Sequence, residues 1–262
     1  MFVTFQKILP KHAASRLAGT LAESRVFFIK HILISLFCHF YPVKLEEAKK
    51  RKTEYKTFND FFSRELAAEA RKICSVICCP CDGTIADHGI IDKSLKISAK
   101  GHSFSINSLL AKDQIENLVG GSHLTIYLAP SDYHRVHMPA NGKIKSATYV
   151  PGELFSVNPN TVSRIPGLYA KNERLIFHLE TDFGYIAIVM VGAAIVGGIK
   201  PFWRVTPYEP REFKTEEINQ NLNQGDELGL FQLGSTVIML ASKKLNFEFE
   251  ENEKVLFGQS LN

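Results

Sequence analysis

Residues 230–240 read LFQLGSTVIML, an apolar, β-prone run broken in its middle by Gly234-Ser235-Thr236. A glycine inside a strand pattern weakens it unless a kink or a close approach is wanted. A serine beside so permissive a residue is also where an internal nucleophile can reach the preceding carbonyl. Outward from this run the same texture recurs, in Thr236–Leu240 itself, Phe202–Val205, Ala194–Ile199, Tyr185–Val191, Leu175–Leu179, Lys143–Val150, His123–Leu128 and Ile73–Cys79. Between these runs lie the turn signals Asp82-Gly83, Asn141-Gly142, Pro151-Gly152 and Pro166-Gly167. No regular alternation of strands with long helices is present, which excludes a doubly wound sheet or a βα barrel. The expected fold class is α+β and mainly β: an antiparallel, β-rich body over residues 56–262, with an N-terminal helical segment over 1–55.

The chain has 262 residues, 45% apolar and 22% charged, so it can bury a large core and shows no bulk disorder. The net charge of +4 is local. Residues 1–40 hold Lys7, Lys11, Arg16, Arg25 and Lys30 against Glu23 alone, which leaves the remaining chain neutral. A nucleic-acid binder would spread basic surface over the folded domain, so nucleic acid is not an expected partner. A membrane surface is a candidate.

Val26–Tyr41 is the most apolar stretch. It falls short of the ~20 residues that span hydrocarbon, and it carries Lys30, His31 and His39. On a helical wheel Lys30, His31, Ser35, Cys38 and His39 share one half, and Ile29, Ile32, Leu33, Leu36, Phe37 and Phe40 fill the other. Two fates fit: packing on the protein's own core, or lying in a membrane interface, which the aromatics Phe2, Phe5, Phe27 and Phe28 favour. Pro42 ends this helix. Leu45–Arg51 reads as a short charged helix with Glu46 four residues before Lys50, and Thr57 or Asn59 caps another through Phe61–Arg64.

Five cysteines, four of them at Cys74, Cys78, Cys79 and Cys81, lie too close together for a disulfide framework. Their spacing is not that of a zinc site, and small apolar residues around a buried strand are the simpler reading. Phosphate-loop, dinucleotide, zincin and nucleophile-elbow motifs are all missing. The densest polar cluster is YLAPSDYHRVHMP at 127–139, with Asp132, His134, Arg135 and His137. In a regular strand His134 and His137 face opposite ways. The cluster reads either as a strand end with satisfied histidines or as a metal set of Asp132, His134 and His137. Asp82-Gly83, taken alone, is a turn.

As a set these residues resemble the bacterial, pyruvoyl-dependent phosphatidylserine decarboxylases. The resemblance runs through FNDFFSREL (58–66), PCDGTIADHG (80–89), AKGHSFSINSLL (99–110), YLAPSDYHRVHMPANG (127–142), PGELFSVNP (151–159), NERLIFHLET (172–181), VGAAIVGGI (191–199) and LGLFQLGSTVIML (228–240). Two departures are Cys81, where the family usually has alanine, and Arg71-Lys72-Ile73, where Arg-Pro-Ile is common.

The resemblance implies that the proenzyme cuts itself at Gly234–Ser235 into a β chain of 1–234 and an α chain of 235–262. His137 would be the base that takes the Ser235 proton, and Asp82 would fix its tautomer. An N→O acyl shift, β-elimination and loss of ammonia then leave a covalent pyruvoyl group at position 235, the enzyme's cofactor. That group forms a Schiff base with the amine of phosphatidylserine and accepts the electrons freed as CO2 leaves. His134 would assist decarboxylation and reprotonation, and Asp132 would position the loop. No metal is implied. The expected setting is the cytoplasmic side of the cell membrane, as a peripheral homodimer bound to anionic lipid. The rivals are a pyruvoyl decarboxylase of a soluble amino acid, which needs no basic apolar N-terminus, and a non-enzymatic metal-binding β-domain.

Overall fold

A computed structural model describes residues 18–73, 75–99, 102–112, 115–193, 198–208, 212–232 and 235–261. The first part of the basic segment, through residue 17, lies outside the described residues, as do Cys74, Gly234 and residues 194–197 of one expected strand.

The described chain opens in helical conformation at residues 18–22 and continues with two helices, α1 (Phe27–Phe40) and α2 (Phe58–Phe62). The body follows with β1 (Gly83–Ile90), β2 (Lys96–Ala99), β3 (His102–Ser105), α3 (Ile106–Leu110), β4 (Ser122–Leu128), β5 (Arg135–His137) and β6 (Gly142–Val150). Then come α4 (Pro159–Val162), α5 (Leu168–Lys171), β7 (Arg174–Thr181), β8 (Gly184–Gly192), β9 (Ile199–Pro201), β10 (Lys214–Leu222), β11 (Glu227–Phe231), β12 (Ser235–Ala241) and β13 (Lys254–Val255). Eight strands form one antiparallel sheet in the order β10-β6-β7-β8-β12-β4-β1-β13. A smaller sheet, β5-β11-β9, lies apart from it. The mainly β, antiparallel body is as the sequence predicts.

The run that opened the reading is the sheet's interior. Along β12, Val237, Met239 and Ala241 join a core shared with Val136, Leu228, Phe231 and Ile199 of the small sheet. Ile238 and Leu240 point the other way, into a core shared with Leu109 of α3, Val162 of α4 and Leu168 of α5. A strand covered on both faces must be apolar at every position, which is why this run does not alternate. β10 is the opposite case. It is an edge strand, largely exposed, whose Lys214, Glu216 and Glu217 discourage pairing with another chain.

Several local expectations are corrected. Leu45–Arg51 forms only a 3₁₀ turn at Leu45–Glu47, because Ala48 bridges to Leu66 and extends the chain. Lys50 pairs with Asp60 rather than Glu46. Of the expected strand Ile73–Cys79, the described residues 75–79 are not a strand: Cys78 N–H donates to Pro139 and Cys79 N–H to Gln259, so two different segments pin them, with bends at 75–77. Phe202–Val205 is a turn leaving β9, anchored by Trp203 and Arg204 on Glu216. Asp82-Gly83 is a strand entry rather than a free turn. A Cβ on Gly83 would meet Ile126 and the Tyr127 carbonyl at 2.5 and 2.6 Å, so β1 can lie this close to β4 only with glycine there. Thr57 does cap α2, its hydroxyl accepting from Asp60 N–H.

The wheel drawn for the N-terminal helix is rotated in the fold. α1 seats Leu33, Ile34, Phe37 and Cys38 on Phe58, Phe61 and Phe62, and Lys30 reaches the Tyr55 carbonyl. Phe28, Ile32, Leu36 and Phe40, spaced four apart, are left exposed, Phe28 at 73%. Among the described residues no helix is long and apolar enough to cross a membrane.

The tightest backbone approach outside the site is at Gly121, where a Cβ would strike the Ala241 carbonyl at the end of β12. Gly121→Ala is expected to lower the urea midpoint more than Ile238→Val, a core trim worth about 1 kcal/mol. Equal midpoints in equilibrium unfolding would refute the close approach.

Candidate active site

Ser235 is the first residue of β12 and is paired on both sides, with Leu128 of β4 and Gly192 of β8. It is fully buried, and its position in the strand alternation puts its side chain on the face covered by the small sheet. The partner of its hydroxyl comes from the turn before β5. His134 Nδ1 lies 3.3 Å from Ser235 Oγ, while His134 Nε2 lies 3.1 Å from the Ala129 carbonyl. A carbonyl only accepts, so Nε2 carries the hydrogen and Nδ1 turns a lone pair towards the hydroxyl. Burial, and after it the charge of Arg64, pushes His134 down to about 3. The ring is therefore neutral, with Nδ1 available to accept the hydrogen bond of the serine hydroxyl.

His137, the last residue of β5, points elsewhere. Its Nδ1–H donates to the Gly225 carbonyl at 2.8 Å, which leaves Nε2 to accept from the Tyr133 hydroxyl at 2.9 Å. Phe257 stacks on the ring at 3.8 Å. Burial pushes this histidine down to about 4. Asp82 accepts from Arg71 through Nε and Nη2, and from Phe257 N–H. Burial raises its carboxyl against the pull of Arg71. Asp82 and His137 thus share Phe257, the first through its backbone N–H and the second through its ring. In this arrangement the tautomer of His137 is set by the Gly225 carbonyl, and Asp82 is paired with Arg71 instead of the ring. The physical reason is that Arg71 satisfies the carboxylate with a two-pronged ion pair, side chains 6% and 8% exposed.

The histidine turn is clamped from the front of the chain. Arg64 donates to the carbonyls of Ser131 and Asp132, Arg135 donates to the Ser63 carbonyl, and Phe62 stacks on His134. Asp132 accepts from Ala129 N–H and from Lys254. Asp132, His134 and His137 therefore serve three separate partner sets and do not converge on one point, which corrects the metal reading of this cluster. An open cleft of about 390 Å³ is lined by Arg71, Tyr133, Arg135, His137, Glu227 and Phe257. A recess of about 170 Å³ beside it is lined by Arg64, Asp82, Asp132, Tyr133 and Lys254. Asp82 and His137 face these openings, and Ser235 with His134 lies buried away from them.

A family model described as phosphatidylserine decarboxylase matches residues 58–262, and another, described as PSD, matches residues 1–42. The phosphatidylserine decarboxylase proenzyme of Saccharophagus degradans is 45% identical over 255 residues, covering 93% of this chain and 89% of its own. That of Francisella tularensis subsp. novicida is 43% identical, covering 100% of this chain and 97% of its own. The chain belongs to the phosphatidylserine decarboxylase family. It is a decarboxylase.

Of the residues expected to form this decarboxylase's site, the structure joins Ser235 to His134 and places Asp82 and His137 together on Phe257. It does not hydrogen-bond the second pair to the serine. Sequence reading missed Phe62, Arg64, Tyr133, Phe257 and Gly225. Phe62 and Arg64 stand in the FNDFFSREL stretch that carried the resemblance, but an aromatic and a lone arginine announce no chemistry until the fold sets them on the histidine turn. Arg71 was noticed only as part of a departure from the family's pattern, yet it holds Asp82.

His123, His134, His137 and His178 are all buried and pushed below 6.5, to about 4, 3, 4 and 4. The unfolded chain then binds more protons below pH 6.5, so their contribution is whole above 6.5 and is lost as pH falls towards 4. Asp82 and Glu173 are raised and act in the opposite sense, but they are fewer. The urea midpoint is expected to fall between pH 7 and pH 5. A midpoint that is flat or rises over that range would mean these rings are protonated in the fold.

Proposed function

We propose that this chain decarboxylates phosphatidylserine to phosphatidylethanolamine and CO2, using a covalent pyruvoyl group made from its own Ser235 by cutting at Gly234–Ser235. The observation that carries this reading is the contact of a buried serine hydroxyl with a neutral imidazole, at the residue after Gly234. A serine hydroxyl is a poor nucleophile until a base takes its proton. In the cut, a bond forms from Oγ to the Gly234 carbonyl carbon as the bond to the Ser235 nitrogen breaks. The proton taken from the hydroxyl is returned to that nitrogen. Burial keeps bulk water from the linkage. The resulting ester still joins the two pieces. Loss of the Ser235 Cα proton then breaks the Cβ–Oγ bond and frees the Gly234 carboxylate. One water displaces ammonia from the dehydroalanine left behind, which gives a β chain of 1–234 and an α chain of 235–262 that begins with the pyruvoyl group.

The residues present fit the prosthetic group, since its precursor serine is buried and faces a neutral imidazole whose lone pair lies beside its hydroxyl. When formed, the pyruvoyl carbonyl supplies an electron sink for the carbon that loses CO2. His134, already at position 235, is the group that handles the proton at the substrate carbon. Asp82 and His137, beside the open cleft, are the residues on which self-cleavage depends by the family resemblance. For His137 to take the Ser235 proton its Nε2 must first release Tyr133, whereas His134 takes it with no rearrangement.

Ser235→Ala is expected to stay uncut and inactive, and Asp82→Asn and His137→Ala to stay mostly uncut, by intact mass. His134→Ala is expected to release no CO2 from phosphatidylserine. Its cut fraction decides between the two rings: an uncut chain makes His134 the base for self-cleavage, and a cut chain assigns that role to His137. Cleaved, pyruvoyl-bearing Ser235→Ala would overturn the whole scheme.

Membrane docking through the N-terminal segment belongs to the same proposal. The exposed stripe Phe28, Ile32, Leu36 and Phe40 has the geometry of a helix lying in a bilayer interface, with Arg25 exposed at its start. Each base near an anionic leaflet adds about 1 kcal/mol. The expected site is the cytoplasmic face of the cell membrane. Ile32→Glu with Leu36→Glu is expected to abolish sedimentation with phosphatidylserine-containing vesicles while the chain stays folded. Unchanged sedimentation would place the membrane contact elsewhere.

A further inference from the structure

Beside a backbone contact from Pro130, three contacts hold the His134 ring. Two lie at its edge, Nε2–H to Ala129 at 3.1 Å and Nδ1 to Ser235 at 3.3 Å. Edge contacts at two nitrogens leave the ring free to tilt about the line that joins them. The third contact removes that freedom: the Phe62 ring lies against one imidazole face, centroids 4.2 Å apart and planes 25° from parallel. Phe62 is itself fully buried and cannot retreat, because Phe37 of α1 and Phe58 back it with ring centroids at 5.8 and 6.2 Å. Its neighbour Phe61 is equally buried but packs on Phe37, Tyr55 and Phe58, with no ring contact to His134.

We propose that Phe62 is a positioning residue for His134: its flat face sets the tilt of the imidazole so that Nδ1 stays aimed at position 235. The proposal rests on the reading of His134 as the proton-handling group of the decarboxylation. A second benefit follows from the same contact. When His134 holds a proton, the aromatic face beneath it is an attractive neighbour for the cation. Proton transfer is steep in geometry, and a misplacement of about 1 Å can cost on the order of a hundredfold in rate. Leucine at 62 would keep apolar bulk and burial but lose the flat surface.

The test compares Phe62→Leu with Phe61→Leu, both measured as CO2 release per cut chain from phosphatidylserine in mixed micelles, alongside melting temperature. With similar melting shifts, Phe62→Leu is expected to lose about tenfold or more in kcat with KM changed less than about twofold, and Phe61→Leu to keep kcat within about twofold of wild type. Equal kcat values for the two variants, or a loss in Phe62→Leu that resides in KM, would overturn the proposal. If Phe62→Leu yields no cut chain, Phe62→Tyr, which retains the ring, takes its place. It is expected to keep kcat within about threefold of wild type, and a loss as deep as that of His134→Ala overturns the role. Wild-type protein that releases no CO2 would overturn the functional reading as well, whereas an active wild type with matched leucine variants overturns the positioning role alone.

Discussion

The rest of the site depends on β12 being buried on both faces and paired on both edges. A strand in that position cannot shift its register without turning every side chain to the wrong core, so its first residue is among the best-fixed points in the molecule. Ser235 takes that point. Its side chain has one direction left to it, towards the small sheet, and the turn before β5 fills that direction with His134. The Ser235–His134 contact is thus a consequence of sheet topology, reached without any local motif that brings serine and histidine together.

Burial also sets the chemistry. Imidazoles taken out of water lose their charged form, and the carbonyls of Ala129 and Gly225 then choose the tautomer of His134 and His137 respectively. The two rings are three residues apart and divide the work by direction: one faces the serine, the other faces the cleft beside Asp82. Arg71 lines the cleft and Asp82 the recess, so their ion pair links the two openings, and Glu47 of the recess makes a second ion pair to Arg71. The front of the chain closes the arrangement. Arg64, Phe62 and the Ser63 carbonyl hold the histidine turn from one side, and the same stretch seats α1. The helix with the exposed apolar stripe therefore reaches the His134 ring through its own Phe37 and then Phe62.

What the sequence by itself determined is the class of fold and the reactive residue types. Short β-prone runs with turn signals and no long helical alternation are local patterns, and a mainly β body follows from them. The LGST and DYHRVHMP stretches mark Ser235, His134 and His137 because such residues are rare inside apolar runs. The one-sided charge of residues 1–40 is likewise visible in the order of residues alone. Where the pattern is not local the reading fell short: β1 and β10 carry too many polar residues to look like strands, and Ile73–Cys79 looks like one while residues 75–77 are held in bends.

Only the tertiary structure decided which histidine meets the serine, what Asp82 pairs with, and which side of α1 stays bare. Each of these is a contact between segments far apart in the chain. Spacing along one strand can say that His134 and His137 point opposite ways, but not which way Ser235 lies. A helical wheel can count apolar positions, but the face that turns inward is chosen by Phe58, Phe61 and Phe62, which belong to another element. Direction is set by the partner, and partners are assigned by the fold.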